Sequence, residues 1–409
     1  MLSTAAMEGA RRSIAARFVD HCNFAEHSVN LQSHGAAACG QFLSHRDAQQ
    51  RGIHGTAAAL RVLAGTPSED AIDLCKRIVV YLNRRAQIES LGMLPDERRR
   101  LRTKIEEDDN NVIKVSETLY ALSFVPAGVA STEALVQRLA GKLQLGMLRN
   151  KGWDYFLDIK SEPQPLPSAF ALRALAHHGL ASTNATDYLL EQIDSEVNGT
   201  TDLAVQTLCL YVLTTLPGRS SVDLALPTMA RCFDRLWSRL SSLMSLDLET
   251  NAIYQRGNDH LFVGVPWQLY LLAVASLLRP YRVYASAAAQ GRLVAVVHAC
   301  TGETGFVYPF SENRSASRTN AILYDVLKQI ETQSRKYPLL DVFHGVDRGR
   351  AVLSGPAFSY AAIAAGAAFA GFATLRWARS PGTSISELGP HFLAAGVIAL
   401  LGLRKGIRS

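Results

Sequence analysis

Residues 54–63 read His54-Gly55-Thr56-Ala57-Ala58-Ala59-Leu60-Arg61-Val62-Leu63, and the way this stretch repeats decides the fold. A loop leads into a small or hydroxyl residue, and a helix rich in Ala and Leu begins. The pattern returns at Ser116-Glu117-Thr118-Leu119-Tyr120-Ala121-Leu122, at Pro167-Ser168-Ala169-Phe170-Ala171-Leu172-Arg173-Ala174-Leu175 and at Asp202-Leu203-Ala204-Val205-Gln206-Thr207-Leu208. It returns again at Pro266-Trp267-Gln268-Leu269-Tyr270-Leu271-Leu272 and at Thr319-Asn320-Ala321-Ile322-Leu323-Tyr324-Asp325-Val326-Leu327. Helices apolar nearly all round belong inside a fold, and their recurrence signals a repeated helical unit. Between them Glu69–Arg85, Thr132–Leu143, Ala185–Glu196, Leu224–Leu243 and Arg282–Cys300 carry charge on one face and read as an outer layer. Met7–Cys22 supplies the outer partner that the sixth unit lacks. The expected class is all-α: an (α/α)6 toroid over residues 41–335, completed by an N-terminal helix within 1–40. An open α-solenoid uses the same helix pairs, but a first helix able to complete the last pair favours closure. β signals are scarce.

The tail is different in kind. Ala351–Leu375 carries no charged residue, and at about 1.5 Å per residue it is long enough to cross a hydrocarbon core of about 30 Å. Leu388–Leu403 is a second, shorter apolar run with Pro390 in its first turn. The two predict a membrane hairpin over 351–409, with spans about 351–375 and 388–403, joined to the helical body by a linker over 336–350. Ala362, Ala365, Gly366, Ala370 and Gly371 allow close helix approach in lipid, and so a homo-oligomer. Arg348, Arg350, Arg404, Lys405 and Arg408 flank the pair, whereas the connecting loop carries only Arg376 and Arg379 as cations. This bias puts the helical body and the C-terminal tail on the cytoplasmic side of the inner (cytoplasmic) membrane. The formal charge of +6 and pI near 9.0 follow from such flanks without any nucleic-acid partner. Hydrophobic residues make up 48% of the chain and mean hydropathy is +0.05, enough for a large core. Cys22, Cys39, Cys75, Cys209, Cys232 and Cys300 form no Cys-x-x-Cys pair and read as buried, reduced thiols. Met1–Arg12 has the pattern of an amphipathic helix rather than of a signal peptide.

The run Thr-Ala-x-Ala-Leu-x-x-Leu into the first inner helix resembles the repeats of terpenoid cyclases and protein prenyltransferase β subunits. So do the Gly-aromatic loops Lys151-Gly152-Trp153-Asp154-Tyr155 and Thr304-Gly305-Phe306-Val307-Tyr308-Pro309. The resemblance covers roughly Gln41 to Gln333. It implies a toroid with a central cavity whose mouth is lined by the loops before the inner helices. The motifs that carry that superfamily's chemistry are missing. Gly52-Ile53-His54-Gly55-Thr56-Ala57 stands where class II cyclases have Asp-x-Asp-Asp-Thr-Ala, so the carboxylic acid that would protonate an alkene is absent. Glu106-Glu107-Asp108-Asp109 is acidic but lies in a polar segment and reads as a solvated loop. Trp267-Gln268 and Thr319-Asn320 replace the Cys and His zinc ligands of prenyltransferases, and His298 and Cys300 point to different helix faces, so no metal and no cofactor is expected. Gly-x-Ser-x-Gly, Gly-x-x-x-x-Gly-Lys-Ser and His-Glu-x-x-His are also absent.

What remains is polar and aromatic residues near the starts of the inner helices. His54 and Glu117 are weak candidates for catalysis. As alternatives, His54 reads as a core or capping residue and Glu117 as a first-turn carboxylate favouring the helix dipole. Trp153, Asp154 and Tyr155 could line a pocket or equally form a packed aromatic loop, and Tyr308 is a further candidate for ligand contact. Gln206, in an apolar helix, wants partners that a pore-facing ligand could supply. His260 precedes Trp267 and Gln268. Arg314, Arg318 and Asn320 form the most suggestive cluster, since arginines at a helix N-terminus favour an anion; the alternative is that they brace their loop by salt bridges. Three functions fit. The first is a non-catalytic ligand- or protein-binding sensor or scaffold coupled to a membrane hairpin. The second is a membrane-tethered enzyme of cyclase or prenyltransferase type acting on an isoprenoid or other lipid. The third is a membrane-perturbing effector such as those of bacterial defence.

Overall fold

A computed structural model describes residues 4–26, 29–41, 43, 52–149, 151–159, 161–195, 200–217, 227–242, 250–256, 259–277 and 316–336. The chain divides into two compact units, one of Leu2–Pro338 and one of Leu339–Ser409 with Met1, and every described residue belongs to the first. The two apolar runs expected to span a membrane, the linker beyond Lys336 and the Arg282–Cys300 helix lie outside the described residues. Among the described residues no helix is long and apolar enough to cross a membrane.

The described unit is mostly helical. Its elements are α1 (Thr4–Glu26), α2 (Val29–Ser33), α3 (Ile53–Ala64), α4 (Glu69–Glu89), α5 (Pro95–Asn110), α6 (Val112–Leu122) and α7 (Glu133–Leu145). They continue with α8 (Pro165–His177), α9 (Thr183–Asp194), α10 (Thr200–Thr215), α11 (Pro227–Ser242), β1 (Thr250–Arg256), β2 (Asp259–Val265), α12 (Trp267–Leu277) and α13 (Ser317–Lys336). Helix starts follow local chemistry. Ser68 caps α4 by accepting from Ala71 N at 3.2 Å, Ser182 caps α9 from Ala185 N at 3.3 Å, and Asn111 caps α6 from Lys114 N at 3.0 Å. Proline opens α5 and α8, where its missing N–H costs nothing.

The six apolar helices foreseen from the repeat are α3, α6, α8, α10, α12 and α13. From Gly55 to Leu63 every residue of α3 is buried, and so is every residue of α8 from Leu166 to Ala176. Each of the six packs on the next in that order, and α13 packs back on α3, so the succession returns to its start. The amphipathic helices cover this set from outside. α1 lies on α13 and α3, α4 on α3, α5 and α7 on α6, α9 on α8 and α10, and α11 on α9, α10 and α12. In α4 the covered stripe is Ala71, Leu74, Cys75, Ile78, Leu82 and Arg85, at the three- and four-residue spacing of one helix face. Each fully buried Leu or Ile of such a stripe contributes about 1.5–3 kcal/mol relative to exposure.

One expectation is corrected. Glu106–Asp109 is the last turn of α5, not a solvated loop. Asp108 is buried between Arg85 (2.6 Å) and Lys114 (2.5 Å), and Asp109 pairs with Lys142 at 2.9 Å. Burial pushes the Asp108 carboxyl up, but the hydrogen bond and charge of Lys114, together with Arg85, outweigh it and hold it low. Strands are scarce, as expected: among the described residues the one sheet is the β1–β2 hairpin, antiparallel from Thr250↔Val265 to Arg256↔Asp259, whose position was not foreseen.

Candidate functional site: a charged centre among the inner helices

The N-terminal segment anchors the start of α3. Thr56 Oγ1 accepts from Cys39 N (3.1 Å), and Ser317 Oγ, at the start of α13, donates to Gly40 O (2.6 Å). Residues 39–40 are therefore tied to both α3 and α13. Their approach explains Gly55: a Cβ there would stand 1.9 Å from Gly40 O, so no side chain fits.

Beyond this contact, one stripe of α3 carries His54, Ala57, Ala58 and Arg61, spaced so that all four share a face. With Glu117 and Tyr120 of α6 and Arg318 and Ala321 of α13 they line a narrow pocket. The alanines leave the room, and the polar side chains fill nearly all of it, leaving about the space that a single water needs. His54 Nδ1 donates to Glu117 Oε2 at 2.5 Å, and Arg318 Nε lies 2.7 Å from Glu117 Oε1. One carboxylate thus joins α3, α6 and α13.

Deeper along the same faces Arg61 pairs with Asp325 of α13. The Arg61 guanidinium lies 4.9 Å from the Tyr120 ring centre, and Arg173 of α8 lies 4.1 Å from the same ring and 5.3 Å from Phe170. Arg318 reaches Phe170 at 4.8 Å. Since α13 packs between α12 and α3, its contacts to α6 and α8 run across the middle of the inner set. Tyr120 meets His177 edge-on at 4.9 Å, and Tyr211 and Tyr270 close the far side at 4.6 Å.

The electrostatics follow from this crowding. Burial pushes the Glu117 carboxyl up, but Arg318, His54 and Arg173 overcome it and hold it at about 2, against an ordinary 4.5. Glu117 is a fixed anion. Burial pushes the Asp325 carboxyl above its ordinary value, against the pull of Arg61 and Arg173. Burial and the nearby arginines Arg173 and Arg61 press the His177 imidazole down to about 4, so it stays neutral at physiological pH. Burial raises the Tyr120 phenol in spite of Arg61 and Arg173.

Three of the sequence candidates, His54, Glu117 and Arg318, therefore meet. Glu117 is the sixth residue of α6 rather than a member of its first turn, since that helix begins at Val112. The others lie elsewhere. Trp153 is fully buried and its indole Nε1 donates to Leu143 O at 2.6 Å, while Ser168 Oγ accepts from Trp153 N at 2.8 Å. Asp154 accepts from Tyr155 N at 2.6 Å and from Ser161 Oγ, so these residues and the buried Tyr155 form a packed loop, not the wall of this pocket. Gln206 does not face a pore: Nε2 donates to Ser195 O at 2.9 Å and Oε1 accepts from Arg235 Nη2 at 2.9 Å, which ties α10 to outer helices. Asn320 Nδ2 donates to Ala316 O at 2.8 Å and braces its own helix start. Trp267 and Gln268 are buried at the start of α12, and His260 belongs to β2. Tyr308 and Arg314 lie outside the described residues.

Sequence reasoning passed over Arg61, Tyr120, Arg173 and Asp325. The signal was present: Arg61 and Arg173 are the lone arginines of helices rich in Ala and Leu. His54 and Arg61, Phe170 and His177, and Arg318 and Asp325 are each seven residues apart on one helix face. Among the described residues no group of His, Cys, Asp and Glu is arranged to hold a metal ion. Comparison of the chain with known protein families, with curated proteins and with solved structures finds no match.

Proposed function

We propose that this chain is a membrane-anchored, non-catalytic binding module: an (α/α)6 toroid on the cytoplasmic side, coupled to a hairpin that spans the membrane at about 351–375 and 388–403. The closed succession of inner helices supports the toroid, and the uncharged run Ala351–Leu375 supports the anchor. One observation carries the non-catalytic reading. The carboxylate at the middle of the inner set, Glu117, is locked between His54 and Arg318 and held at about 2. Protonating an apolar substrate needs a carboxylic acid that keeps its proton near neutral pH. A group at about 2 has given it up and is held as an anion by Arg318 and His54.

The test uses full-length protein in detergent, mixed with prenyl diphosphates and with phospholipids. The expected result is a raised unfolding temperature with some of these compounds and no new product by mass spectrometry; a product formed in proportion to enzyme overturns the non-catalytic reading. For the anchor, full-length protein should float with liposomes on a density gradient and a chain lacking 351–409 should not. Full-length protein that stays in the aqueous fraction overturns it.

A further inference from the structure

The charged centre is out of balance. Arg318 has Glu117 and Arg61 has Asp325. Arg173, only 1% exposed, has no carboxylate partner among the described residues. Among the described residues its Nε and Nη1 find no hydrogen-bond partner, and neither does Nε of the buried Arg61, which lines the pocket. The rings of Tyr120 and Phe170 cushion the Arg173 charge but return only part of what its removal from water costs. Three guanidiniums and the imidazole of His54 face two carboxylates.

We propose that this centre is a receptor for a phosphate group, which enters through the pocket of His54, Arg61, Glu117 and Arg318 and competes with Glu117 for Arg318 and His54. The inference rests on reading the inner helices as a binding module. The Arg fork matches the spacing of phosphate oxygens. A phosphate brings the negative charge that the centre lacks. Glu117 already occupies the seat at the mouth, with the two donors that an oxyanion would use, and so acts as an internal competitor. The pocket as it stands is too narrow for more than a water, so the carboxylate must turn aside for a phosphate to enter.

The competition gives two substitutions opposite signs, which a merely structural role would not. In calorimetric titration of the full-length protein with inorganic phosphate and with dihexanoyl phosphatidate, Glu117→Gln is expected to tighten binding roughly tenfold, by removing the competing anion. Arg173→Met is expected to weaken it by roughly tenfold, and Arg173→Lys, which keeps the charge, to retain most of it. Circular dichroism on each variant confirms folding, and the tightening in Glu117→Gln carries the comparison where Arg173→Met does not fold. Binding of inorganic phosphate with this pattern supports a free ligand, and binding of phosphatidate alone with the same pattern supports a lipid headgroup. Folded wild-type protein that binds neither, or affinities that Glu117→Gln and Arg173→Met leave unchanged, overturns the proposal. A product from a prenyl diphosphate with this pattern intact would overturn only the non-catalytic reading.

Discussion

At the scale of single residues the consequences are set by proton affinities. Glu117 is depressed from 4.5 to about 2 in the folded chain. The ionised form is therefore favoured by folding, and its contribution is fully present above pH 4.5 and lost as the pH falls toward 2. A shift of this size corresponds to roughly 3 kcal/mol. His177 acts in a higher window. Its folded value of about 4 lies below the ordinary 6.5, so the unfolded chain takes up a proton first and stability declines as the pH falls from 6.5 to 4. Acid unfolding should therefore have two limbs, and Glu117→Gln should flatten the lower one while lowering stability near pH 7, because it leaves Arg318 without its counter-charge. Unfolding midpoints measured from pH 8 to pH 2.5 decide this; a lower limb unchanged in Glu117→Gln would show that the carboxylate is not held as described. His54, Glu117 and Arg318 could each be singled out in the sequence because they sit near helix starts. Their meeting could not, since spacing along one helix says nothing about which residue of another faces it across the middle.

At the scale of elements α13 stands out for the way it is fastened. It is tied to α6 through Arg318 and Glu117, to α3 through Asp325 and Arg61, and to α1 through Glu331 and Arg11, with Tyr324 Oη donating to Gly65 O at 2.8 Å. Breaking one buried pair by removing a single partner costs about 3–5 kcal/mol, whereas replacing both by apolar side chains of similar size is often neutral. Asp325→Asn should thus be strongly destabilising, and the double variant Arg61→Met with Asp325→Leu should recover most of the loss. Denaturant titration of the two proteins measures the difference; a double variant as weak as the single one would mean that the charges themselves hold the helix. The elements also show where reading from sequence stopped. The inner helices were legible because burial on all sides leaves an unbroken apolar run. The β1–β2 hairpin was not, although Ile253, Tyr254, Phe262 and Val263 are strand formers and Gly257-Asn258 between them is a two-residue turn signal. A short hairpin among many helices is outvoted by the prevailing period. The α5 turn was missed because Glu106–Asp109 looks solvated until Arg85, from another helix, is brought beside it.

At the scale of the whole molecule the cysteines report on how tightly the described unit closes. Cys22, Cys39, Cys75, Cys209 and Cys232 are free and buried, as the lack of paired spacing led one to expect. Burial lifts the Cys75 thiol to about 12 and the Cys232 thiol to about 11, and it also raises Cys209. For Cys22 the hydrogen bond to Cys39 raises the thiol first and burial adds to it. The thiolate is the reactive form, so Cys22, Cys75, Cys209 and Cys232 should not react with a thiol reagent in native protein, burial keeps the reagent from Cys39, and all five should react in denaturant. Peptide mapping after labelling identifies any exception, and prompt native modification of one of the five would show that its surroundings open readily.

The seam between α3 and α13 has a consequence for biosynthesis. Ser317 meets Gly40 across a separation of 277 residues. At about 5–20 residues per second, the flank of α3 that α13 will cover stays bare for on the order of 15–55 s after it leaves the ribosome. Its permanent neighbour is the last made of the described helices, and the uncharged run at 351–375 follows close behind. The newborn chain thus carries an unsealed edge until α13 emerges, a natural landing place for a chaperone, and that edge closes only shortly before the uncharged run comes into view.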